Sequence, residues 1–109
     1  ERLAKLIKEA KKNLLKLGYQ NIIILKGDGT LGYPPEAPYD FIIVSAAAPF
    51  LPTNLVQQLA PGGKLVIPIG NRLVQNLVVV TKKKNNKITQ KSICQCSFVP
   101  LIGQQGWDE

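Results

Sequence analysis

Apolar residues recur along the first stretch of the chain with the period of a helix. Leu3, Leu6, Ile7, Ala10, Leu14 and Leu17 fall at steps of 3, 4, 7, 11 and 14 from the first, so they share one face. Lys5, Lys8, Lys11, Lys12 and Lys16 occupy the other positions and read as its wet face. Gly18 follows the last apolar residue and suits the left-handed conformation that ends helices. The pattern predicts a helix over 3–17 whose Leu/Ile stripe covers a sheet.

The pattern then changes to short, continuous apolar runs at 22–25, 41–44 and 65–69. Each is too short for a helix and lacks polar alternation, which predicts strands buried on both faces, as in a parallel sheet. The first ends in Gly27-Asp28-Gly29-Thr30, a turn, and the second in Ser45-Ala46-Ala47-Ala48-Pro49. Pro61-Gly62-Gly63 precedes the third. Residues 52–60 carry Leu55, Val56 and Leu59 at helical spacing, with Pro52 suited to a first turn. Farther on, 73–81 and 88–99 read as two extended segments around the polar stretch 82–87, where Asn85-Asn86 supports positive φ. Helices alternating with buried strands predict an α/β doubly wound sheet, with an antiparallel hairpin added at its end.

Composition narrows the chemistry. With 109 residues, 45% of them apolar, the chain is long enough for one core and too apolar for disorder. No run reaches the ~18 unbroken apolar residues of a membrane span, and the lysine-studded opening does not read as a signal peptide. There is no Met, so Glu1 is not expected to be a translation start, and a processed chain or a fragment is expected. There is no His, which removes the commonest general base and metal ligand and any Ser-His-Asp or Cys-His centre. Cys94 and Cys96 read as two buried thiols in a reducing compartment, and a metal site would need more ligands.

The net charge is +7, from 14 basic and 7 acidic residues. A nucleic-acid partner is the sharp reading of that excess. The distribution argues against it, because the lysines divide between one helix face and the turn holding Lys82, Lys83, Lys84 and Lys87, with no aromatic residues interleaved.

Ligands of open α/β sheets bind beyond the carboxyl ends of the strands. Two loops qualify. At 27–29 the glycines let backbone approach a flat ligand and Asp28 offers a carboxylate; an ordinary turn is the plain alternative. At 45–49 three alanines leave room against the backbone, or else pack helix on strand tightly. Glu1 is a third candidate, either stabilising the helix start or holding ribose hydroxyls.

Several motifs occur in order: Gly27-Asp28-Gly29-Thr30-Leu31-Gly32-Tyr33, Ala37-Pro38-Tyr39-Asp40, Ala46-Ala47-Ala48-Pro49, Gln58-Leu59, Pro61-Gly62-Gly63-Lys64-Leu65 and Pro68-Ile69-Gly70. Phe98-Val99-Pro100-Leu101-Ile102-Gly103 and Gly106-Trp107 follow. This series resembles the protein-L-isoaspartate O-methyltransferase family over essentially all 109 residues.

The resemblance implies a Rossmann-like, S-adenosylmethionine-dependent methyltransferase sheet with a carboxyl-terminal hairpin, incomplete in this chain. It makes residues 1–109 the carboxyl-terminal part of one domain. The implied activity is methylation of the α-carboxylate of L-isoaspartyl residues in damaged peptides and proteins. The ester then cyclises to a succinimide that reopens to aspartate, in the cytoplasm. The resemblance implies that Glu1, Asp28, Gly29, Ser45 and Ala46 hold the cofactor and that Ala47, Ala48 and Pro49 meet the substrate. It also implies that the family's glycine-rich cofactor loop and its hydroxyl residue by the isoaspartyl carboxylate lie upstream of Glu1, leaving the catalytic residue unassigned and this chain inactive alone. In the family's sheet the first two strands sit between the strand at 22–25 and the strand at 41–44, so the resemblance implies a hole in the middle of this chain's sheet. Neither a metal, nor nucleic acid, nor a membrane is implied. The alternative class is a non-catalytic α/β module that binds an adenine-containing ligand or a protein.

The lysine distribution carries a test. Replacing Lys82, Lys83, Lys84 and Lys87 with Gln leaves retention on duplex DNA unchanged at two salt concentrations. Loss of both affinity and salt slope, at about 0.9 per neutralised phosphate, restores the nucleic-acid reading.

Overall fold

The computed structural model describes residues 1–109. Its centre is a four-stranded sheet in the order β1-β2-β3-β4, built from β1 (Tyr39–Ile43), β2 (Leu59–Gly70), β3 (Gln75–Lys82) and β4 (Ile88–Cys96). β1 and β2 run parallel through a crossover that contains α2 (Thr53–Gln57), while β3 and β4 add antiparallel. The expected mixture of parallel strands and a terminal hairpin is therefore present.

The core lies on one sheet face. Leu65 and Ile67 of β2 stand two apart and so share a face, opposite Val80 and Val78 of β3. Leu55 of α2, Leu59 and Ala48 close over them, and all seven residues are buried. The other face is far more open at its β1 end, where Phe41 and Ile43 are 73% and 79% exposed.

Several expectations change. The helix expected over 52–60 is only Thr53–Gln57, and β2 begins at Leu59. Leu59 pairs with Tyr39, and the next registered pair is Phe41 with Lys64, so Pro61-Gly62-Gly63 lies in a bulge inside β2. The run at 22–25 is extended, but Ile22, Ile23 and Leu25 are 47%, 81% and 42% exposed instead of buried on both faces. Its backbone partner is Glu1 alone. The Glu1 amine donates to the Leu25 carbonyl (3.1 Å) and the Gly27 amide to the Glu1 carbonyl (3.0 Å), a single parallel bridge rather than a ladder. Another change concerns the thiols. Cys94 is exposed and Cys96 half-buried, because β4 is the outer strand.

Helix α1 (Ala4–Lys16) matches the predicted span, and Gly18 takes φ +80° just beyond it. Its stripe does not cover the four strands as expected. Only Ile7 is buried, and Leu14 and Leu15 instead face Tyr19, Ile22 and Ile24 across a small hollow. The hairpin turn forms as predicted, with Asn86 at φ 66° and the Lys83 amide donating to the Lys87 carbonyl (2.8 Å). Lys82 departs from the solvated reading. Its ammonium donates to the Leu59 carbonyl (2.9 Å) and reaches the Gln57 carbonyl (3.4 Å), meeting the negative end of α2.

The two sheet faces predict different costs. Leu65→Ala removes a fully buried side chain and should destabilise by about 2–5 kcal/mol. Ile43→Ala on the open face should stay within about 0.5 kcal/mol. Urea midpoints with unchanged slopes check both values, and equal losses would contradict this assignment of the core.

Candidate functional site

A groove of about 1120 Å³ runs between the extended stretch at 22–27 and the free edge of β1. Leu25, Phe41, Ile43 and Val44 contribute apolar wall. Glu1, Asp28, Gly29, Ser45 and Ala46 also line it. These five residues come from three separate places in the chain, and the fold brings them to one concavity.

Glu1 reaches the groove because its backbone is held by the bridge to 25–27. One carboxylate oxygen accepts the Leu3 amide (2.9 Å) at the start of α1. That bond is the main reason its carboxyl titrates below the ordinary range. A carboxylate carries about four lone-pair sites, so Glu1, which lines the groove, retains capacity to accept from a ligand hydroxyl.

Asp28 is more fully engaged. Its Oδ1 accepts both the Thr30 amide (2.9 Å) and the Thr30 hydroxyl (2.7 Å), and its Oδ2 accepts the Gln104 amide (2.8 Å). Burial acts to raise its pKa. The bonds from Gln104 and Thr30 outweigh that and hold the carboxyl below its usual range. Asp28 is thus a clasp between the turn and a segment 76 residues away. A carboxylate carries about four lone-pair sites, so three donors leave room for one more. The space beside the flanking glycines is open. A Cβ added at Gly27 or Gly29 would meet nothing within 4 Å. A flat ring can therefore lie against this backbone, and the set suits an adenosine-like ligand.

Ala47, Ala48 and Pro49, expected to meet the substrate, are placed differently from Ser45 and Ala46. Ala47 and Ala48 are 1% and 0% exposed, and none of the three lines the groove. The Ala47 amide donates to Val99 (2.7 Å), and its carbonyl accepts from Leu101 (2.8 Å) and from the Trp107 indole (3.0 Å). The Ala48 amide donates to Pro68 (2.9 Å), and its carbonyl accepts from Gly70 (3.0 Å). Both alanines spend their backbone polar groups inside the fold. Ser45 and Ala46, just before them, remain on the groove.

Several residues of the site were not foreseen. Gln58, almost wholly buried, accepts the Tyr33 amide (2.8 Å) and donates to the Leu31 carbonyl (2.9 Å), fixing the loop after Gly29. Gly32 has φ 66°, and a Cβ there would run into the Gln58 amide. Gln105 donates its backbone amide to Thr30 (3.1 Å) while its side chain holds Asn54 and Thr53 of α2. Residues 99–102 form another wall of the groove. A glutamine near an α/β turn gives no sequence pattern of its own, so only the Gly32 position hinted at the clamp.

Comparison with known proteins agrees with this architecture. The family model described as protein-L-isoaspartate(D-aspartate) O-methyltransferase matches residues 1–106. Proteins named protein-L-isoaspartate O-methyltransferase from Hyperthermus butylicus and Methanopyrus kandleri are each 50% identical over 110 aligned positions, covering 100% of this chain but 46% and 49% of those proteins. The chain thus spans about half the length of these curated relatives. A Plasmodium falciparum chain described as a protein-L-isoaspartate O-methyltransferase, crystallised with S-adenosyl-L-homocysteine, superposes with a TM-score of 0.79 at 32% identity, over 94% of this chain and 50% of that one. Another structure titled protein-L-isoaspartate O-methyltransferase gives 0.84 at 30% identity, over 97% of this chain and 34% of that one.

The clasp predicts a pH signature. Because the folded pKa of Asp28 is depressed, its contribution is complete above the unfolded carboxyl value, near 4, and is lost as pH falls through the lower folded value. Asp28→Ala should lower the melting temperature at pH 7 and flatten the fall in stability below about pH 4. A parent-like acid limb in the variant would remove Asp28 from this role.

Proposed function

Because the chain belongs to the protein-L-isoaspartate(D-aspartate) O-methyltransferase family, we propose that the protein carrying it methylates the α-carboxylate of L-isoaspartyl residues in damaged peptides and proteins, using S-adenosylmethionine. The carrying observation is the convergence of Glu1, Asp28, Gly29, Ser45 and Ala46 on one groove. The methyl ester so formed would cyclise to a succinimide and reopen to aspartate, which makes the reaction a repair. The free thiols at Cys94 and Cys96 suit a reducing, cytoplasmic compartment.

When bound, the cofactor supplies an electrophilic methyl on a sulfonium, and its transfer to a carboxylate oxygen leaves a neutral thioether with no proton to move. General acid–base residues are then dispensable, which accords with a chain without His. The protein's task is alignment and exclusion of water. In this reading the Glu1 carboxylate accepts from ribose hydroxyls. Gly27 and Gly29 admit the adenine ring to the backbone, and the remaining acceptor site of Asp28 takes its amine. Gln58 and Thr30 hold that turn rigid. Ser45 and Ala46 border the reacting end, and Leu25, Phe41 and Ile43 give the groove an apolar lining.

Two measurements test the reading. In a protein of the relatives' length that carries these residues, Glu1→Ala should weaken S-adenosylhomocysteine binding tenfold or more. A lost hydrogen bond to a charged acceptor costs roughly 1.5–3 kcal/mol. Equilibrium dialysis reads the change, and an unaltered dissociation constant removes Glu1 from the site. The 109 residues alone should transfer labelled methyl to an isoaspartyl peptide far more slowly than about 1 per second. Ordinary turnover would mean that the groove as it stands is a sufficient active site.

A further inference from the structure

Cys94 and Cys96 lie on the outermost strand, away from the groove, and both are free thiols. The ladder is regular where they sit. Cys94 faces Leu77, Gln95 faces Asn76 and Cys96 faces Gln75, whereas the bulge comes earlier, between the Leu77 and Val78 pairs. Regular pairing preserves alternation, so both sulfurs leave the same face. Their Cα atoms are separated by two strand steps, about 6.8 Å. A disulfide reaches that separation only at its outer limit, its usual value being about 5.5–6 Å. An ion set between the sulfurs spans the gap without drawing the strand together. No group of three or more His, Cys, Asp or Glu side chains is placed to hold a metal, so a four-coordinate zinc site is not available. Two thiolates alone suit a soft cation that is content with two ligands.

We propose that Cys94 and Cys96 form a two-coordinate site for a soft monovalent cation of the copper(I) type. Binding follows 2 RSH + Cu⁺ → [RS–Cu–SR]⁻ + 2 H⁺. Two S–H bonds break, two S–Cu bonds form, both protons pass to solvent and copper stays in the +1 state.

Copper(I), kept reduced with ascorbate, is the probe, titrated into the protein as expressed against a coloured copper(I) chelator. One ion per chain is expected, with both thiols protected from iodoacetamide. Joining the second ligand intramolecularly is worth about 10²–10⁴ in affinity, so Cys94→Ser or Cys96→Ser alone should lose at least about a hundredfold and match the double variant. Single variants that retain parental affinity would overturn the site. So would two ions per chain, or alkylation rates unchanged by copper. Cys94 is exposed, so Cys94→Ser keeps the fold and decides the matter by itself if Cys96→Ser does not fold.

Discussion

A buried backbone amide or carbonyl must find a partner, and at Ala47 and Ala48 that requirement organises the whole end of the sheet. The two residues lie side by side in the chain and are stitched in different directions. Ala47 draws in Val99, Leu101 and the Trp107 indole, while Ala48 joins Pro68 and Gly70 of β2. The loop after β1 is thereby locked between the sheet and the last residues. One side of the groove follows from this. Ser45 and Ala46 are presented at its border because the next two residues are pinned, and residues 99–102 become a wall because Ala47 holds them. Small side chains are required here for packing, since two backbones approach the alanines from opposite sides.

The same economy governs the polar interior. Gln58, Gln75 and Gln105 each bridge backbone segments distant in sequence, and every buried side-chain polar atom has a partner. Glutamine suits this work because its amide both donates and accepts. The Arg72 guanidinium stacks 4.9 Å from the Trp107 ring and donates to the Asp108 carbonyl (2.9 Å), so the terminal segment is held from its outer side as well. The residues that shape the site are thus mostly not the residues that would touch a ligand.

What could be read from the chain divides along a physical line. Local periodicity gave α1, β1, the later part of β2 and the hairpin, because those depend on nearby residues and on one buried face. The extent of α2 was misread because Leu59 fits a helical stripe equally well, and its pairing with Tyr39 is a tertiary fact. The run at 22–25 has strand composition, but burial on both faces needs neighbours that composition cannot supply. Asp28 was legible as a strand-end carboxylate, whereas its donors lie two and 76 positions away, and only the nearer is visible in a turn pattern. Ala47 and Ala48 were legible as a motif but their burial was not, since small residues beside a site and small residues beneath it look alike in sequence.

The Asp28 clasp has a consequence for how the molecule is made. Synthesis is vectorial, with domains adding about 5–20 residues per second. The turn at 27–31 leaves the ribosome before the tail, yet its carboxylate, its Thr30 hydroxyl and the adjoining end of α2 are completed by Gln104 and Gln105. During that interval the turn is a nascent loop with an unquenched charge and an open apolar flank. The ligand-facing corner of the molecule is therefore among the last parts to mature, and substitutions in the tail can act as defects of biogenesis even where they touch no ligand.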